Sequence, residues 1–192
     1  MFRISNDTPA YYITSVAKNR LPVFQKPALK DLVCAALNEA RLSANFLLFA
    51  YVIMPDHLRS IVGSELKPSK VVQYINGIIA RRIIDYLKSN RHEISLAKLR
   101  HEDRSRKYRY SLWDHHPNVK RLNHEDVFLQ KANYLHQNPV RAGLVEQTQD
   151  YRWSSARYWA RRPLEDEPLI VDIDKIEWRS AGGFPQRWRR SL

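Results

Sequence analysis

The chain has 192 residues, of which 44% are hydrophobic and 11% aromatic, so it can bury the core of one domain and is not a disordered chain. Lys and Arg number 32 against 20 acidic residues, and the resulting net charge of +12 favours a polyanionic partner, most often nucleic acid. No apolar run reaches the ~18 residues of a membrane span. The basic residues do not lie on one amphipathic helix either, so we expect no membrane partner.

The first half of the chain alternates predicted strands and helices. Residues 10–20 alternate and are rich in β-formers, which predicts a first strand, and residues 26–42 have the apolar spacing of a helix. The apolar run 46–54 predicts a central strand. A tight Pro-Asp turn then joins it to a partner strand at 57–63. A second helix is predicted at 68–90, with proline at its start.

The second half predicts one more strand and one more long helix. We expect a last strand at 110–116, a helix at 123–138 that stops at Pro139, and a short helix or turn at 150–162. The order β-α-β-β-α-β followed by a helix predicts an α+β fold, namely a ferredoxin-like, split βαβ antiparallel sheet with helices on one face. We divide the chain into a domain at 1–162 and a C-terminal extension at 163–192.

The single cysteine and the N-terminus bear on the compartment. Cys34 lies in an apolar helical pattern, which indicates a buried thiol without a redox role. One cysteine forms no internal disulfide, and the first residues lack the apolar segment of a signal peptide. Both observations predict a cytoplasmic protein.

A histidine and an arginine share one face of the predicted strand 57–63. Alternate side chains of a strand point the same way, so His57 and Arg59 point together. Two histidines at this spacing would form most of a metal site, but arginine offers only donors and stays protonated. Arg59 could instead hold a phosphate. Taken alone, His57 fits a polar residue at a strand end better than a metal ligand.

Tyr134 and Asn138 form a second pair, four residues apart on one helix face. A tyrosine hydroxyl can attack a phosphodiester and keep the phosphate as a covalent ester. An amide oxygen such as that of Asn138 can ligate a hard divalent ion. The alternative is a tyrosine at the edge of the core and an asparagine that caps the helix before Pro139.

Three segments together resemble a known family. They are "YVIMPDHLRSIV" at 51–62, "LWDHHPNVKRL" at 112–122 and "NYLHQNPVRAGLVEQTQDYRWSSARYW" at 133–159. These segments resemble the motifs of the IS200-like, single-tyrosine HUH transposases, most closely the REP-associated tyrosine transposases. The resemblance spans roughly residues 10–160, and the last segment is long and specific.

The resemblance implies a site and a reaction. Tyr134 matches the catalytic tyrosine, Asn138 the metal-binding polar residue and His57 the first histidine of the HUH pair. The implied reaction is cleavage and rejoining of single-stranded or hairpin DNA through a 5′-phosphotyrosine, with Mg²⁺ or Mn²⁺ at the scissile phosphate. The implied partner is single-stranded or hairpin DNA, bound by a monomer or a homodimer.

Arg59 departs from the motif, because it stands where the second histidine is expected. A fixed positive charge opposes a divalent cation nearby, yet it could partly replace that cation on the phosphate. Three outcomes stay open: a weakened metal enzyme, an arginine-assisted enzyme, or a DNA-binding protein that has lost catalysis. Asp56, His115 or His116 could supply a replacement ligand, although each also fits a surface or packing position.

Two basic segments that contain aromatic residues suit single-stranded DNA, because cations follow the backbone while rings stack on unpaired bases. A solvated loop is the alternative for each of them. The residues concerned are Lys98, Arg100, Arg104, Arg106, Lys107, Tyr108 and Arg109 in the first segment, and Arg187, Trp188, Arg189 and Arg190 in the second. A ribosome- or RNA-bound basic protein would also explain the charge, but it would not explain the Tyr134–Asn138 pair.

Overall fold

The structure is a computed structural model that describes residues 1–101, 109–114 and 116–178. Four strands form one antiparallel sheet in the order β2-β3-β1-β4. The strands are β1 (Ala10–Val16), β2 (Leu47–Ile53), β3 (His57–Gly63) and β4 (Asn118–Leu122). This order, with helices after β1 and β3, is the split βαβ arrangement, so the predicted fold class is confirmed.

The two crossover helices pack against each other on one face of the sheet. They are α1 (Pro27–Ala44) and α2 (Pro68–Ser89), and each begins with proline in its first turn, where the missing N–H costs no hydrogen bond. Ser15 of β1 donates to Asn76 Oδ1 of α2 at 2.7 Å, which identifies the covered face. A short helix, α3 (Glu93–Leu99), follows α2.

The later helices lie away from that layer. Helix α4 (Glu125–His136) contacts β2, β3 and β4, and Phe128 on it meets the ring of Phe49 edge to face at 5.8 Å. Because α4 also reaches the side chain of Arg59, which points away from Ser60 and the α2 layer, it covers the opposite face of the sheet. Two single-turn helices complete the described part, α5 (Asn138–Arg141) and α6 (Ala156–Trp159).

Two predicted strands have different bounds in the structure. The first strand ends at Val16, because Asn19 and Arg20 take positive φ angles of 54° and 52° in a 3-10 turn. The last strand is at 118–122 and not at 110–116, where Tyr110 and Trp113 form isolated bridges, to Arg100 and Ala17 respectively. The first four residues of β4 are exposed, as suits a charged edge strand, so its apolar pattern is weak in the sequence.

The helix that carries Tyr134 also differs at both ends. It begins after His124 and not after Asn123, whose amide donates to the side chain of Asn6. The sequence predicts that helical structure stops at Pro139, and this prediction is wrong. A single-turn helix, α5, starts at Asn138, and Pro139 occupies its first turn. The predicted element at 150–162 is reduced to α6 and a 3-10 turn over Thr148–Asp150.

The free edge of β2 is covered by the chain after residue 150. Ile53 N donates to Trp153 O at 2.9 Å and Ser155 N donates to Tyr51 O at 3.0 Å. Asp172 continues this cover, because its backbone N–H donates to Leu48 O at 2.7 Å. These bonds satisfy an edge that would otherwise be open to another chain.

Part of the predicted C-terminal extension therefore packs on the main sheet. Its described portion ends at 178 and buries four apolar side chains, those of Leu169, Val171, Ile173 and Ile176. The division of the chain at residue 162 stays a prediction. Within the described residues, no helix combines the length and the apolarity that crossing a membrane requires.

Candidate active site

The turn between β2 and β3 fixes the orientation of His57. Met54 N donates to His57 O at 2.8 Å across the Pro-Asp turn, so β3 starts at His57 itself. The Asp56 carboxylate lies 2.6 Å from His57 Nδ1, and Arg20 Nη1 donates to the same carboxylate at 3.0 Å. The carboxylate therefore orients the imidazole, with Nδ1 as the donor and Nε2 as the atom with a free lone pair.

Burial and charge keep His57 neutral. The residue is only 8% exposed, and burial is the main reason why the pKa of His57 is lowered, with Arg59 adding to the effect and Asp56 opposing it. The partial burial of Asp56 raises its pKa, but the contacts with His57 and Arg20 outweigh this and lower it overall. His57 Nε2 is buried and has no hydrogen-bond partner among the described residues. This nitrogen is the atom of the ring that the protein itself leaves unused.

Arg59 lies on the same strand face and reaches two tyrosines. Its Nη1 donates to the hydroxyl of Tyr12 at 3.0 Å, and its guanidinium carbon lies 5.1 Å from the ring centroid of Tyr134. Burial lowers the pKa of Arg59, but the contacts with the two hydroxyls outweigh this and raise it, so the side chain is a permanent cation. Its Nε is buried and has no hydrogen-bond partner among the described residues.

Tyr134 stands on α4 with three cations around its ring. It is 38% exposed, which leaves the ring open to a ligand. Besides Arg59, the Arg141 guanidinium carbon lies 4.8 Å and Lys131 Nζ 5.7 Å from the ring centroid. The contact of Arg59 with the hydroxyl is the main reason why the pKa of Tyr134 is lowered, and Arg141 and Lys131 act in the same direction. The surroundings thus favour the phenolate, which is the nucleophilic form.

Asn138 forms the junction between α4 and α5. Its Nδ2 donates to Tyr134 O at 2.7 Å and to Leu135 O at 2.9 Å, so the amide satisfies carbonyls at the end of α4. The capping role that the sequence left open is therefore present in the structure. Only Oδ1 could act as a metal ligand, because an amide nitrogen has no available lone pair.

These donors fall short of the metal site that the resemblance implies. One imidazole nitrogen and one amide oxygen are available, and a guanidinium occupies the position of the second imidazole. Among the described residues, no three His, Cys, Asp or Glu side chains group together in a way that could hold a metal ion. Asp56 is already engaged with His57 and Arg20, His116 is exposed, and His115 lies outside the described residues. The described residues supply fewer ligands than a divalent ion needs, and the Mg²⁺ or Mn²⁺ expected at His57 and Asn138 stays an untested prediction from the sequence.

The predicted DNA-binding segments are only partly described. Lys98 lies in the last turn of α3, and Arg100 forms an isolated bridge with Tyr110, whose ring centroid lies 5.7 Å from the Arg109 guanidinium carbon. The structure brings none of these three basic residues into a described contact with Tyr134. The remaining predicted residues, Arg104, Arg106, Lys107, Tyr108, Arg187, Trp188, Arg189 and Arg190, lie outside the described residues.

Sequence reasoning missed three members of the site, namely Tyr12, Lys131 and Arg141. Lys131 and Arg141 had a readable signal, because positions 131, 134, 138 and 141 follow the three- and four-residue spacing of one helix face. Tyr12 had none, since its approach to Arg59 depends on the pairing of β1 with β3. The cation cluster of Arg59, Lys131 and Arg141 is therefore a product of the fold.

Comparisons with known proteins agree with this architecture. The sequence profile of the IS200-like transposases matches residues 7–103, which run from β1 beyond α3 and include His57 and Arg59. A search of curated proteins found no match.

Two solved structures are similar to the chain. A REP-associated tyrosine transposase, solved bound to a REP hairpin, has 16% identity, a TM-score of 0.59 and coverage of 86% of this chain and 87% of that one. A candidate transposase of Deinococcus radiodurans has 17% identity and a TM-score of 0.48, over 68% of this chain and 90% of that one. The first likeness shows the fold, and the profile match over half of the chain shows that this protein belongs to the IS200-like transposase family.

Proposed function

We propose that the protein cleaves and rejoins single-stranded or hairpin DNA, with Tyr134 as the nucleophile. The observation that carries the proposal is the accessible ring of Tyr134, surrounded by three cations at 4.8 to 5.7 Å. Cations beside a phenol favour the phenolate, and they also offset the charge that builds up on a phosphate in the transition state. Membership of a transposase family supports the same reaction class.

The proposed step is an in-line displacement at a DNA phosphate. The Tyr134 oxygen forms a bond to phosphorus, and the bond from phosphorus to the 3′-oxygen breaks. The phenol proton is lost, and the leaving 3′-oxygen takes up a proton from solvent. The products are a 5′-phosphotyrosine and a free 3′-hydroxyl, and attack by a second 3′-hydroxyl reverses the step and joins the strands.

The remaining site residues orient the reacting groups in this proposal. Arg59 lies between Tyr12 and Tyr134 and holds the nucleophile against β3 through its contact with the hydroxyl. Asn138 fixes the turn that follows Tyr134 through its two bonds to carbonyls. His57 presents a neutral nitrogen on the same strand face as Arg59. No step of this mechanism passes through a metal ion.

The DNA partner rests on charge and on the likeness to a solved relative. The net charge of +12 favours a polyanion, and the relative was solved with a REP hairpin. We therefore propose a hairpin with single-stranded flanks as the substrate. We also propose that Lys98, Arg100 and Arg109 contact this DNA.

A second candidate is a hairpin-binding protein without cleavage activity. The presence of Arg59 at the position of the second HUH histidine favours it, because that substitution removes a metal ligand. Such a protein would bind the hairpin and form no covalent adduct under any condition.

Incubation with an end-labelled hairpin and separation on a denaturing gel distinguish the two candidates. Cleavage predicts a covalent adduct that is mapped to Tyr134 by mass spectrometry. Tyr134→Phe should abolish the adduct and keep most of the hairpin affinity, because it removes one hydroxyl only. An adduct that persists in Tyr134→Phe would place the nucleophile elsewhere, and hairpin binding without any adduct would select the second candidate.

A further inference from the structure

We infer that Arg59, Lys131 and Arg141 form a binding site for a single DNA phosphate that works without a divalent metal ion. The inference deepens the proposed function and rests on it, because it takes the phosphate beside Tyr134 to belong to DNA. It adds Lys131 and Arg141 to the site. It also assigns to these side chains and Arg59 the positive charge that a metal ion would supply at the phosphate.

The three cations lack local charge compensation among the described residues. Within residues 1–101, 109–114 and 116–178, no carboxylate forms an ion pair with Arg59, Lys131 or Arg141. Each of the three charges lies within 5.7 Å of one ring centroid, so any two of them are at most about twice that distance apart. This separation is on the order of the Debye length of about 8–10 Å at physiological salt, so the charges repel one another. A bound anion would turn this repulsion into attraction.

The donor groups of the three cations suit a phosphate. The two guanidinium groups can each offer a planar pair of N–H donors, and the ammonium offers a compact charge. A phosphodiester has one negative charge and two non-bridging oxygens, so it can accept from more than one of these groups. The partly buried position of Arg59 strengthens its interaction with an anion, because less water screens the charge there.

The three cations are placed so that a ligand can reach them from the protein surface. Arg141 is exposed and Lys131 is half-buried, so both can meet a ligand at the surface, whereas Arg59 forms the floor of the cluster on β3. The exposed ring of Tyr134 lies among the three cations. Because Arg59 contacts the Tyr134 hydroxyl, a phosphate bound by Arg59 would lie beside that hydroxyl, where the displacement requires it.

The position of Arg59 in the family motif supports the same inference. A guanidinium stands where a metal-binding imidazole is expected, and it carries the positive charge that a metal ion would supply. The neutral Nε2 of His57 next to it has no hydrogen-bond partner within the described residues, where no three His, Cys, Asp or Glu side chains group together to hold a metal ion. The replacement is consistent with side-chain cations that act in place of a metal ion.

The chain offers a matched control for Lys131. Lys70 Nζ lies 5.6 Å from the ring centroid of Tyr74 on α2, a geometry close to that of Lys131 and Tyr134. Helix α2 covers the opposite face of the sheet, so Lys70 is remote from the proposed phosphate. Lys70→Ala therefore removes the same charge and the same kind of ring contact without touching the site.

The test measures binding in the full chain with Tyr134→Phe, so that covalent chemistry does not interfere. The probe is a fluorescent hairpin with single-stranded flanks, titrated in buffer that contains EDTA. Arg141→Ala and Lys131→Ala should each weaken binding about fivefold to tenfold, as expected for one phosphate contact at the protein surface. Each should also reduce the slope of log affinity against log salt by about one. Lys70→Ala should change the affinity less than about twofold.

A methylphosphonate scan then localises the phosphate. Each phosphate of the hairpin is replaced in turn by a neutral methylphosphonate, and the inference predicts one position where this replacement weakens binding to the Tyr134→Phe protein. At that position the loss should shrink in the protein that also carries Arg141→Ala, because the contact is already absent.

Several outcomes would overturn the inference. These are equal losses for Lys131→Ala and Lys70→Ala, losses that appear only when Mn²⁺ is present, or a methylphosphonate effect that Arg141→Ala leaves unchanged. Since Tyr134 is already phenylalanine here, a natural protein that fails to cleave would not affect this result. Conversely, failure of the binding test would leave the adduct test of the proposed function intact.

Discussion

The basic residues of this protein are used differently at the covered edge of β2 and around Tyr134. In the chain after residue 150, which covers this edge, and at Arg41 beside it, five cations have carboxylate partners. The pairs are Arg41 with Asp172, Arg152 with Asp166, Arg157 with Glu167, Arg161 with Asp174, and Lys175 with Asp172. Around Tyr134, three cations meet at one ring, and none has a carboxylate partner among the described residues.

This difference indicates which of the basic residues behind the net charge of +12 are available to bind a DNA phosphate. Paired cations hold the C-terminal segment on the sheet, and a DNA phosphate could reach them only in competition with their carboxylates. Unpaired cations repel one another in the free protein and gain most from an anion. The comparison therefore predicts that mutations in the paired group change stability, whereas mutations in the unpaired group change DNA binding.

The largest expected effect comes from breaking the paired group at Asp172. This carboxylate is 4% exposed, accepts from Leu48 N at 3.0 Å and pairs with Arg41 and Lys175 at 2.9 Å each. Asp172→Ala leaves the buried Leu48 N–H without its partner and takes the carboxylate from Arg41, whose Nη1 still donates to Ile170 O, so the free energy of unfolding should fall by about 3–5 kcal/mol. Urea denaturation measures it.

A matched control for Asp172 lies two residues further along the chain. Asp174 is 79% exposed and pairs with Arg161 at the surface, so Asp174→Ala should cost no more than about 1 kcal/mol. Equal losses in the free energy of unfolding for the two variants would mean that burial does not determine how much these ion pairs stabilise the fold. Hairpin affinity should stay within about twofold in both, since neither residue lies at Tyr134.

A buried histidine makes the covered edge sensitive to acid. His136 is fully buried, its Nε2 lies 2.8 Å from Ser155 Oγ, and burial lowers the pKa of His136 to about 3. Between this value and the ordinary pKa near 6.5, the unfolded chain binds a proton that the folded chain does not. The stability that neutral His136 gives is therefore complete above pH ~6.5 and is lost as the pH falls, by about 1.4 kcal/mol per pH unit.

Urea denaturation between pH 7 and pH 4 checks this acid sensitivity. His136→Gln should flatten the dependence on pH while keeping a polar group near Ser155. Some dependence should persist, because the lowered pKa of His57 acts in the same direction, whereas the lowered pKa of Asp56 adds to it only below about pH 4. A slope that is the same in the natural protein and in His136→Gln would show that His136 is not the group that titrates.

The smallest expected effect is on the stability of the unpaired group. Arg141→Ala should change the free energy of unfolding by no more than about 0.5 kcal/mol, or raise it slightly, because it relieves repulsion at Tyr134. Arg157→Ala is the matched variant in the paired group. It removes a partner from the buried carboxylate of Glu167 and should cost about 2 kcal/mol or more. Thermal unfolding of both variants compares them, and a larger loss for Arg141→Ala would reverse the comparison.

The order of elements could be predicted from the sequence because the inner strands and long helices have strong periodic patterns. Strand β3 begins and ends where its alternation does, and proline marks the starts of α1 and α2. β4 was placed wrongly, since an exposed edge strand with Lys120 and Arg121 has little apolar alternation. Positive φ angles at Asn19 and Arg20, which end the first strand early, have no periodic signal.

The site was predictable only in part, for physical reasons. Local spacing predicts that Tyr134 and Asn138 share a helix face and that His57 and Arg59 share a strand face. The contact between Arg59 and Tyr134 depends on α4 crossing the sheet face opposite to α1 and α2, which no local pattern specifies. The same holds for Tyr12, whose hydroxyl reaches Arg59 across the pairing of β1 with β3.

The most direct test of the central claim is the formation of the Tyr134–DNA adduct in EDTA. The natural protein is incubated with the end-labelled hairpin in EDTA and, in parallel, with Mn²⁺, and the adduct is quantified on a denaturing gel with Tyr134→Phe as the blank. Cations that hold the phosphate in place of a metal ion predict similar adduct yields in both conditions and none in the blank. An adduct that forms with Mn²⁺ and is absent in EDTA would contradict the metal-free site, and no adduct in either condition would contradict cleavage by Tyr134.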